Sequence, residues 1–321
     1  MNMPVFRSSL AQGMTDLVTF KRAQGLDYTA QAVFLKHFDS FLCTQGYQKT
    51  SLDRKIVDDY IAHIANQADN TRYSRLSTVR VLSLYLYQFD PESYVLRELP
   101  AKRPAQPRWY LLAPEETEAL VQRAKSLGPH GSLRPHCYYM LVCLLCFTGL
   151  RISEALALNL GDLDKSRRLL LVRKGKFGKE RYVALHPSSS AAVEAYLTRR
   201  TAYGPSGDSS PLFLSTSGMR LPYKQVSATF RRMVRHCRIA EGAPQKPRLH
   251  DLRHTYASRC LLKWYEEGCD VNSKLPILAT AMGHVNVRAT QIYIHVTSRL
   301  LAEAAHRFHG TFSATCKKEK V

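Results

Sequence analysis

His250-Asp251-Leu252-Arg253-His254-Thr255-Tyr256 opens the stretch around which this chain is organised, and Gly283-His284 and Thr290-Gln291-Ile292-Tyr293 close it. The stretch combines a histidine and an arginine three residues apart with a Gly-His pair and a tyrosine nine residues after that histidine. Such side chains supply cationic donors, proton carriers and a hydroxyl nucleophile, which suit chemistry on a phosphate. A zinc site at His250 and His254 is a weaker hypothesis, because no glutamate follows His250 and no third ligand is obvious.

The charge of the chain is unevenly distributed. Residues 1–100 hold 11 Lys and Arg against 10 Asp and Glu, and residues 101–321 hold 35 against 16, so the second part carries +19 of a net charge of +20. An excess of this size attracts a polyanion, most simply nucleic acid. The plainer alternative is a solvated basic surface.

The length of 321 residues favours two domains. The longest apolar run, residues 138–147, is too short to cross a membrane and predicts a buried helix. The first residues lack the apolar core of a secretion signal, so we expect a cytoplasmic protein. The C-x-x-C sequence at Cys143 and Cys146 lies inside that apolar run, which favours reduced buried thiols over a metal or redox site.

Residues 15–99 predict a small all-helical bundle. The first predicted helix runs from Asp27, which could cap it, to Gly46, which could end it. A second helix follows, and a third extends from about Thr71 to Phe89, with Arg72 and Arg75 as basic residues. The predicted apolar faces contain Phe34, Phe38, Phe41, Leu42, Val57, Tyr60, Ile61, Ile64, Val79, Leu82, Leu86 and Phe89.

Residues 100–109 predict a linker, because three prolines within eight residues prevent regular structure. A second domain then covers residues 110–310, and residues 311–321 form a basic tail. A helix begins at Pro114, with glutamates in its first turns as the helix dipole favours.

Arg151 directly follows the apolar run, in Thr148-Gly149-Leu150-Arg151-Ile152-Ser153-Glu154. We expect it to be partly buried, and a buried guanidinium needs a partner. The segment alone favours a structural ion pair with Glu154. Gly149 permits a break, and Ser153 or Thr148 could cap the next short helix.

Two β segments, residues 169–173 and 181–185, flank a basic glycine-containing turn and predict a hairpin. Lys174, Lys176 and Lys179 lie on this turn, where a lysine could reach a ligand or remain solvated. Further along, residues 224–238 predict an amphipathic helix. One side of that helix carries a basic stripe of Arg231, Arg235 and Arg238, and such stripes are commonly solvated faces.

Taken together, these motifs resemble the tyrosine recombinase family of site-specific DNA recombinases, also called the phage integrase family. Thr148-Gly-Leu-Arg-Ile-Ser-Glu is similar to the family's first box, and His250-Asp-Leu-Arg-His-Thr, Gly283-His284 and Thr290-Gln-Ile-Tyr293 are similar to its second. The resemblance covers about residues 15–310. It implies a mainly α fold: an N-terminal all-α core-binding bundle, then an α+β catalytic domain with a small antiparallel β-hairpin.

The resemblance also implies a catalytic role for each matched residue. Tyr293 would attack a phosphodiester to give a 3′-phosphotyrosine and a free 5′-hydroxyl. Arg151 and Arg253 would clamp the non-bridging oxygens, and His284 would hydrogen-bond the phosphate. His250 would give acid–base support, and Glu154 would orient the cationic groups. Lys176 would protonate the leaving oxygen, although Lys174 is an alternative; the family's Lys-x-x-Lys-x-Arg pattern fits Lys176 without a gap.

The implied partners are a double-stranded DNA recombination site and three further copies of the chain, four protomers on two sites, with no cofactor, metal or membrane. A stripe of Leu300, Ala304 and Phe308 would dock on a neighbouring protomer, or else pack on its own domain. Arg72, Arg75 and the basic stripe would contact DNA. The segment of residues 260–276 is longer than in many phage integrases and resembles the branch found in transposons and integrative elements.

Two other functions remain open from the sequence. A type IB-like topoisomerase would share the chemistry but would relax DNA without joining two sites. A non-catalytic DNA-binding regulator would need the basic helices but not Tyr293. For the biological role, the sequence leaves integration, excision and transposition of a mobile element, and chromosome resolution, as alternatives.

Overall fold

The computed structural model describes residues 4–99, 109–173 and 180–283, together with residues 290, 291 and 293. The chain divides into two compact units, residues 1–107 and residues 108–321. The assignment of DNA binding to residues 15–99 and of catalysis to residues 110–310 stays a prediction. No helix in the described ranges combines the length and the apolar character that crossing a membrane requires.

The first unit contains α1 (Ala11–Ala23), α2 (Thr29–Thr44), α3 (Arg54–His63) and α4 (Asp69–Tyr87). The bundle predicted from apolar spacing is present. Its core is formed by one apolar face of each helix, because packing these faces against one another removes them from water. Helix α1 was not predicted as a helix; only Met14, Leu17 and Val18 mark its buried side.

Two details of this unit differ from prediction. The N-cap residue of α2 is Tyr28 and not Asp27; Tyr28 lies in the left-handed region at φ 51°, and its own side chain makes no capping hydrogen bond. The Asp27 carboxylate instead accepts a hydrogen bond of 2.6 Å from the Thr29 hydroxyl. Phe89 lies beyond the end of α4 and is 72% exposed, so it is not part of the apolar face.

In its described residues the second unit is mainly helical with a small antiparallel sheet, which confirms the predicted fold class. Its elements, in order, are α5 (Pro114–Lys125), α6 (Leu133–Thr148), α7 (Ile152–Ala157), a 3₁₀ turn (Leu160–Asp162), β1 (Leu163–Asp164), β2 (Leu169–Val172), β3 (Arg181–Ala184), α8 (Pro187–Arg200), α9 (Tyr223–His236), α10 (Leu249–Glu266) and α11 (Val271–Met282). The strands are antiparallel in the order β1-β2-β3, with Leu170 opposite Val183. Strand β1 was not predicted, because two residues carry no alternation.

Helix α6 is the centre of the second unit. It is apolar on nearly all sides, so it is buried, and it contacts α5, α7, α8 and α10. Its cysteines are free thiols; Cys143 is buried, as predicted, whereas Cys146 is only half-buried. The helix ends at Gly149, which places the Arg151 segment beside α10.

Candidate active site

The first turn of α10 is fixed by a fully buried carboxylate. Asp251 accepts hydrogen bonds from the backbone N–H of Arg248 at 2.7 Å and from its guanidinium at 3.0 Å. A carboxylate in this position satisfies a free N–H and opposes the positive end of the helix. The start of the helix that carries His250, Arg253 and His254 is therefore held in one conformation.

Arg253 is 2% exposed and joins the ends of two other helices. Its Nη1 donates to the Gly149 carbonyl oxygen at 2.6 Å, after α6, and its Nη2 donates to that of Met282 at 2.7 Å, at the end of α11. Carbonyl groups at helix C-termini carry partial negative charge, which favours a cation there. Burial, with repulsion from Arg151, lowers the pKa of Arg253 to about 10, so the group remains a cation at neutral pH.

Glu154 lies between two arginines and is itself buried. Its Oε1 is 2.8 Å from Nη1 of Arg151, and its Oε2 is 2.8 Å from Nη2 of Arg181. Burial alone would raise the pKa of Glu154, but hydrogen bonds from Arg181 and Arg151 outweigh it and the pKa is lowered. The predicted Arg151–Glu154 pair is confirmed. Neither Ser153 nor Thr148 caps α7, because Arg151 is the cap residue and its N–H donates to Glu154 at 2.9 Å.

Arg151 and Arg181, the two arginines that bind Glu154, also reach the end of α11. Nη2 of Arg151 donates to the Gly283 carbonyl oxygen at 3.2 Å, and Nε of Arg181 donates to the Ala281 carbonyl oxygen at 3.0 Å. Three guanidinium groups, including that of Arg253, therefore converge on the last carbonyls of one helix. This arrangement concentrates positive charge where an anion can be bound.

Two glycines make the convergence possible. Gly149 has φ 62°, and a Cβ there would overlap the Tyr256 ring. Gly283 has φ 67°, and a Cβ there would lie 2.6 Å from Nη1 of Arg181. Since L side chains rarely adopt this backbone region, another residue at either position would strain the backbone and displace a neighbour.

Tyr293 is buried in a small apolar cluster against α10 and α11, with only 2% of its surface exposed. Its hydroxyl group is nevertheless in a polar contact, 2.9 Å from Nδ1 of His254. Burial raises the pKa of Tyr293; the charges of Arg253 and Arg151 and a hydrogen bond from Arg253 lower it and offset only part of this effect. The phenol is therefore protonated at neutral pH.

His250 lies at the solvent-exposed edge of the site, next to His254. Its ring meets that of His254 edge-on, with 4.7 Å between ring centroids and 89° between planes. Desolvation of the ring and the charges of Arg253 and Arg151 lower the pKa of His250. Within the described residues, no three His, Cys, Asp or Glu side chains form a group that could hold a metal ion.

The structure brings Arg151, His250, Arg253 and Tyr293 together. Lys176, its alternative Lys174, and His284 lie outside the described residues, as do the apolar stripe after residue 299 and the basic tail. Arg231, Arg235 and Arg238 are exposed, but α9 ends at His236 and Arg238 follows it with φ 52°. The predicted helical stripe is therefore present at Arg231 and Arg235 and does not extend to Arg238.

Three residues of the site were not predicted to belong to it. Arg181 was considered only as part of the lysine motif. His254 was considered only as a zinc ligand, although its spacing from His250 placed both on one helix face. Trp109 was placed at the end of the linker, yet its ring stacks on His254 at 4.5 Å and lies 5.1 Å from the Tyr293 ring.

Comparisons with known proteins place these features in a family. Residues 111–299 match the phage integrase family. The tyrosine recombinase XerD of Caulobacter vibrioides is 31% identical over 310 residues, which cover 93% of this chain and 95% of that protein. A protein of Sinorhizobium fredii named as an integrase/recombinase, y4rB, is 38% identical over 241 residues, which cover 73% of this chain and 76% of its own.

Two solved structures share the fold. The Tn1549 transposon integrase, solved in complex with transposon right end DNA, aligns with a TM-score of 0.64 at 17% identity and covers 91% of this chain and 98% of its own. The site-specific recombinase XerH, bound to a palindromic difH substrate, aligns with a TM-score of 0.62 at 19% identity and covers 96% of this chain and 92% of its own.

Proposed function

This chain belongs to the phage integrase family of tyrosine recombinases, which cleave and rejoin DNA, and from that premise we propose that Tyr293 is its nucleophile. The tyrosine attacks a phosphodiester, a 3′-phosphotyrosine forms, and the 5′-oxygen leaves. The new ester conserves the energy of the broken bond, so a 5′-hydroxyl of another strand can reverse the reaction.

One observation carries this proposal: Arg151 and Arg253 both bind the last carbonyls of α11, and the charges of both lower the pKa of the buried Tyr293. Two planar cations fixed beside a hydroxyl group are suited to hold the non-bridging oxygens of a phosphate while charge develops on them. A tyrosine that was only part of the core would not need either cation.

The remaining roles follow the family's motifs. His250, at the exposed edge, gives acid–base support, and its lowered pKa leaves it neutral and able to accept a proton at neutral pH. Lys176 protonates the leaving oxygen and His284 hydrogen-bonds the phosphate; both enter the proposal from sequence alone. Glu154 positions Arg151 and Arg181 and does not itself touch the substrate.

Lys176 and Lys174 can be separated by leaving-group chemistry. Replacing the catalytic lysine by alanine abolishes cleavage of ordinary DNA but spares a substrate with a 5′-thio leaving group, which needs no proton. We expect this of Lys176→Ala and not of Lys174→Ala.

The substrate is a double-stranded recombination site, and two such sites are joined by four copies of the chain. The names of its relatives and fold neighbours, which include recombinases and a transposon integrase, support integration, excision or transposition of a mobile element. A lambda integrase tetramer bound to a Holliday junction has a similar fold. The protein would work on DNA in the bacterial nucleoid. The recombinase relatives do not favour the topoisomerase or the regulator.

The test is a covalent adduct on a nicked duplex from the DNA that flanks the gene, with a chelator present. We expect a protein–DNA band with wild type and with Tyr256→Phe, and none with Tyr293→Phe. Tyr256 is a matched control because it is a tyrosine of the same cluster. An adduct with Tyr293→Phe would overturn the proposal. No wild-type adduct would favour the regulator, and adducts without strand exchange between two sites would favour the topoisomerase.

A further inference from the structure

The Tyr293 hydroxyl is held by a histidine that is not one of the residues expected from the motifs. His254 is 7% exposed, and its Nδ1 lies 2.9 Å from that hydroxyl. His250, four residues earlier on α10, lies edge-on to it and nearer the solvent. The two histidines therefore have different positions: one at the edge of the site, the other in direct contact with the phenol.

The imidazole of His254 is fixed from its other side by Trp109. The two ring planes are 11° apart and their centroids 4.5 Å apart, which is a stacked arrangement. The same indole contacts the Tyr293 ring, so the tryptophan touches both partners of the hydrogen bond.

The chain segment that carries Trp109 is tied to α10. The Leu112 N–H donates to the Thr255 hydroxyl at 3.1 Å, and the Arg259 guanidinium donates to the Leu112 carbonyl oxygen at 3.2 Å. Arg259 also donates to the Thr117 hydroxyl at 2.9 Å, in the first turn of α5. These contacts hold the segment against α10 beside His254, and not loosely as the end of a linker.

We propose that His254, braced by Trp109, is a positioning residue that accepts a hydrogen bond from the Tyr293 hydroxyl and fixes the direction of its oxygen. This inference rests on the proposed function, in which Tyr293 is the nucleophile. Apolar packing alone does not fix the direction of the phenol oxygen, and an oxygen displaced by about 1 Å loses much of its reactivity. A directed hydrogen bond removes that freedom.

His254 is not the base that removes the phenol proton. Burial and the neighbouring His250 lower the pKa of His254 to about 4, whereas burial raises that of Tyr293. An imidazole so weakly basic would not hold a proton taken from so weak an acid. The phenol keeps its proton and donates a hydrogen bond to Nδ1, which places the imidazole proton on Nε2.

The test compares two replacements of His254 in the full-length chain. The amide oxygen of His254→Asn falls near the position of Nδ1 and can accept the same hydrogen bond, whereas His254→Leu fills the space without an acceptor. Under single turnover on the nicked duplex, we expect the leucine variant to form the adduct about 100-fold more slowly. The asparagine variant should stay within several-fold of wild type, and equal losses in both would overturn the proposal.

A second measurement removes Tyr293 from the chemistry. In a Tyr293→Phe background, hydrogen peroxide at high concentration can serve as the attacking oxygen nucleophile. Adding His254→Leu should then cause no further loss of cleavage, because the residue acts only through the tyrosine. A further loss as large as that in the Tyr293 enzyme would show that His254 acts on the phosphate, and would overturn the proposal.

A spectroscopic readout separates this inference from the proposed function. With 3-fluorotyrosine at position 293, the ¹⁹F resonance should move in His254→Leu and return toward its original position in His254→Asn, whether or not the chain cleaves DNA. An unchanged resonance in the leucine variant would overturn the positioning role. Failure of the adduct assay in wild type, with the expected resonance shift present, would count against the nucleophile alone.

Discussion

Two groups of arginines in the second unit differ in almost every physical respect. Arg231, Arg235 and Arg238 on and just after α9 are exposed to solvent. Arg151, Arg181 and Arg253 are partly or fully buried, and each binds at least one backbone carbonyl at the end of α11. Exposed cations attract a polyanion through a field that salt screens, whereas buried and bonded cations act at one point and in one direction. We therefore expect the first group to govern DNA affinity and the second to govern cleavage.

The largest effect should come from Arg253. Arg253→Lys keeps a positive charge, but a single ammonium cannot span the Gly149 and Met282 carbonyl oxygens and also face a phosphate. We expect adduct formation at saturating DNA to fall by about 10³-fold. DNA affinity should change little, as measured by fluorescence anisotropy on the same duplex. A large loss of affinity with cleavage intact would break the distinction between the two groups.

Glu154 tests whether the buried arginines need their shared carboxylate. Glu154→Gln keeps the shape but leaves two guanidinium groups without a counter-ion, so we expect a loss of about 3 kcal/mol in the free energy of unfolding. Because the pKa of Glu154 is lowered in the folded state, its contribution is present above the unfolded pKa of about 4.3 and is lost as the pH falls through the folded pKa. The difference from wild type should therefore shrink on acidification below pH ~4. A difference independent of pH would show that charge is not the cause.

His254 tests the cost of keeping a neutral group inside this cationic site. With its folded pKa lowered to about 4, His254 binds a proton more readily in the unfolded chain. Stability should accordingly fall by about 3 kcal/mol as the pH drops from about 6.5 to about 4. His254→Asn should remove most of this slope in denaturant melts. Equal slopes in the variant and the wild type would show that burial of His254 is not the cause.

The smallest effect should come from a single arginine of the exposed stripe. Arg235→Gln should weaken DNA binding several-fold, and the slope of log K against log salt should fall in magnitude by about 1, as for one phosphate contact. The rate of adduct formation at saturating DNA should not change. Arg167→Gln, an exposed arginine at the turn between β1 and β2, serves as the control. A rate defect in Arg235→Gln would place the stripe in the chemistry.

Much of the site could be predicted because its chemistry is local in sequence. Arg151 after an apolar helix, Arg253 three residues after His250, and Gly149 at a helix end each follow from short patterns. The Arg151–Glu154 pair is also local, with a spacing of three. The ordered motifs indicated the family as well, since several independent matches in the right order are specific.

What could not be predicted depends on contacts between distant segments. Arg181 reaches Glu154 from another strand, and nothing local to either residue marks that ion pair. The sequence places Trp109 at the end of a proline-rich linker. Its position beside His254 depends on the hydrogen bonds that Thr255 and Arg259 make to its segment. The prediction that Asp27 caps α2 was wrong for another reason. The N-cap residue is Tyr28, so Asp27 lies one residue before it, where its carboxylate accepts a local hydrogen bond from the Thr29 hydroxyl.

The residue that becomes linked to DNA, which we propose is Tyr293, can be identified in the adduct itself. Adduct isolated from the nicked duplex is digested with nuclease and trypsin, and the peptides are sequenced by mass spectrometry. Cleavage after Arg288 and Arg299 releases a peptide of residues 289–299 in which Tyr293 is the single tyrosine. We expect a nucleotide 3′-phosphate on that tyrosine, and a nucleotide on any other residue would show that Tyr293 is not the nucleophile.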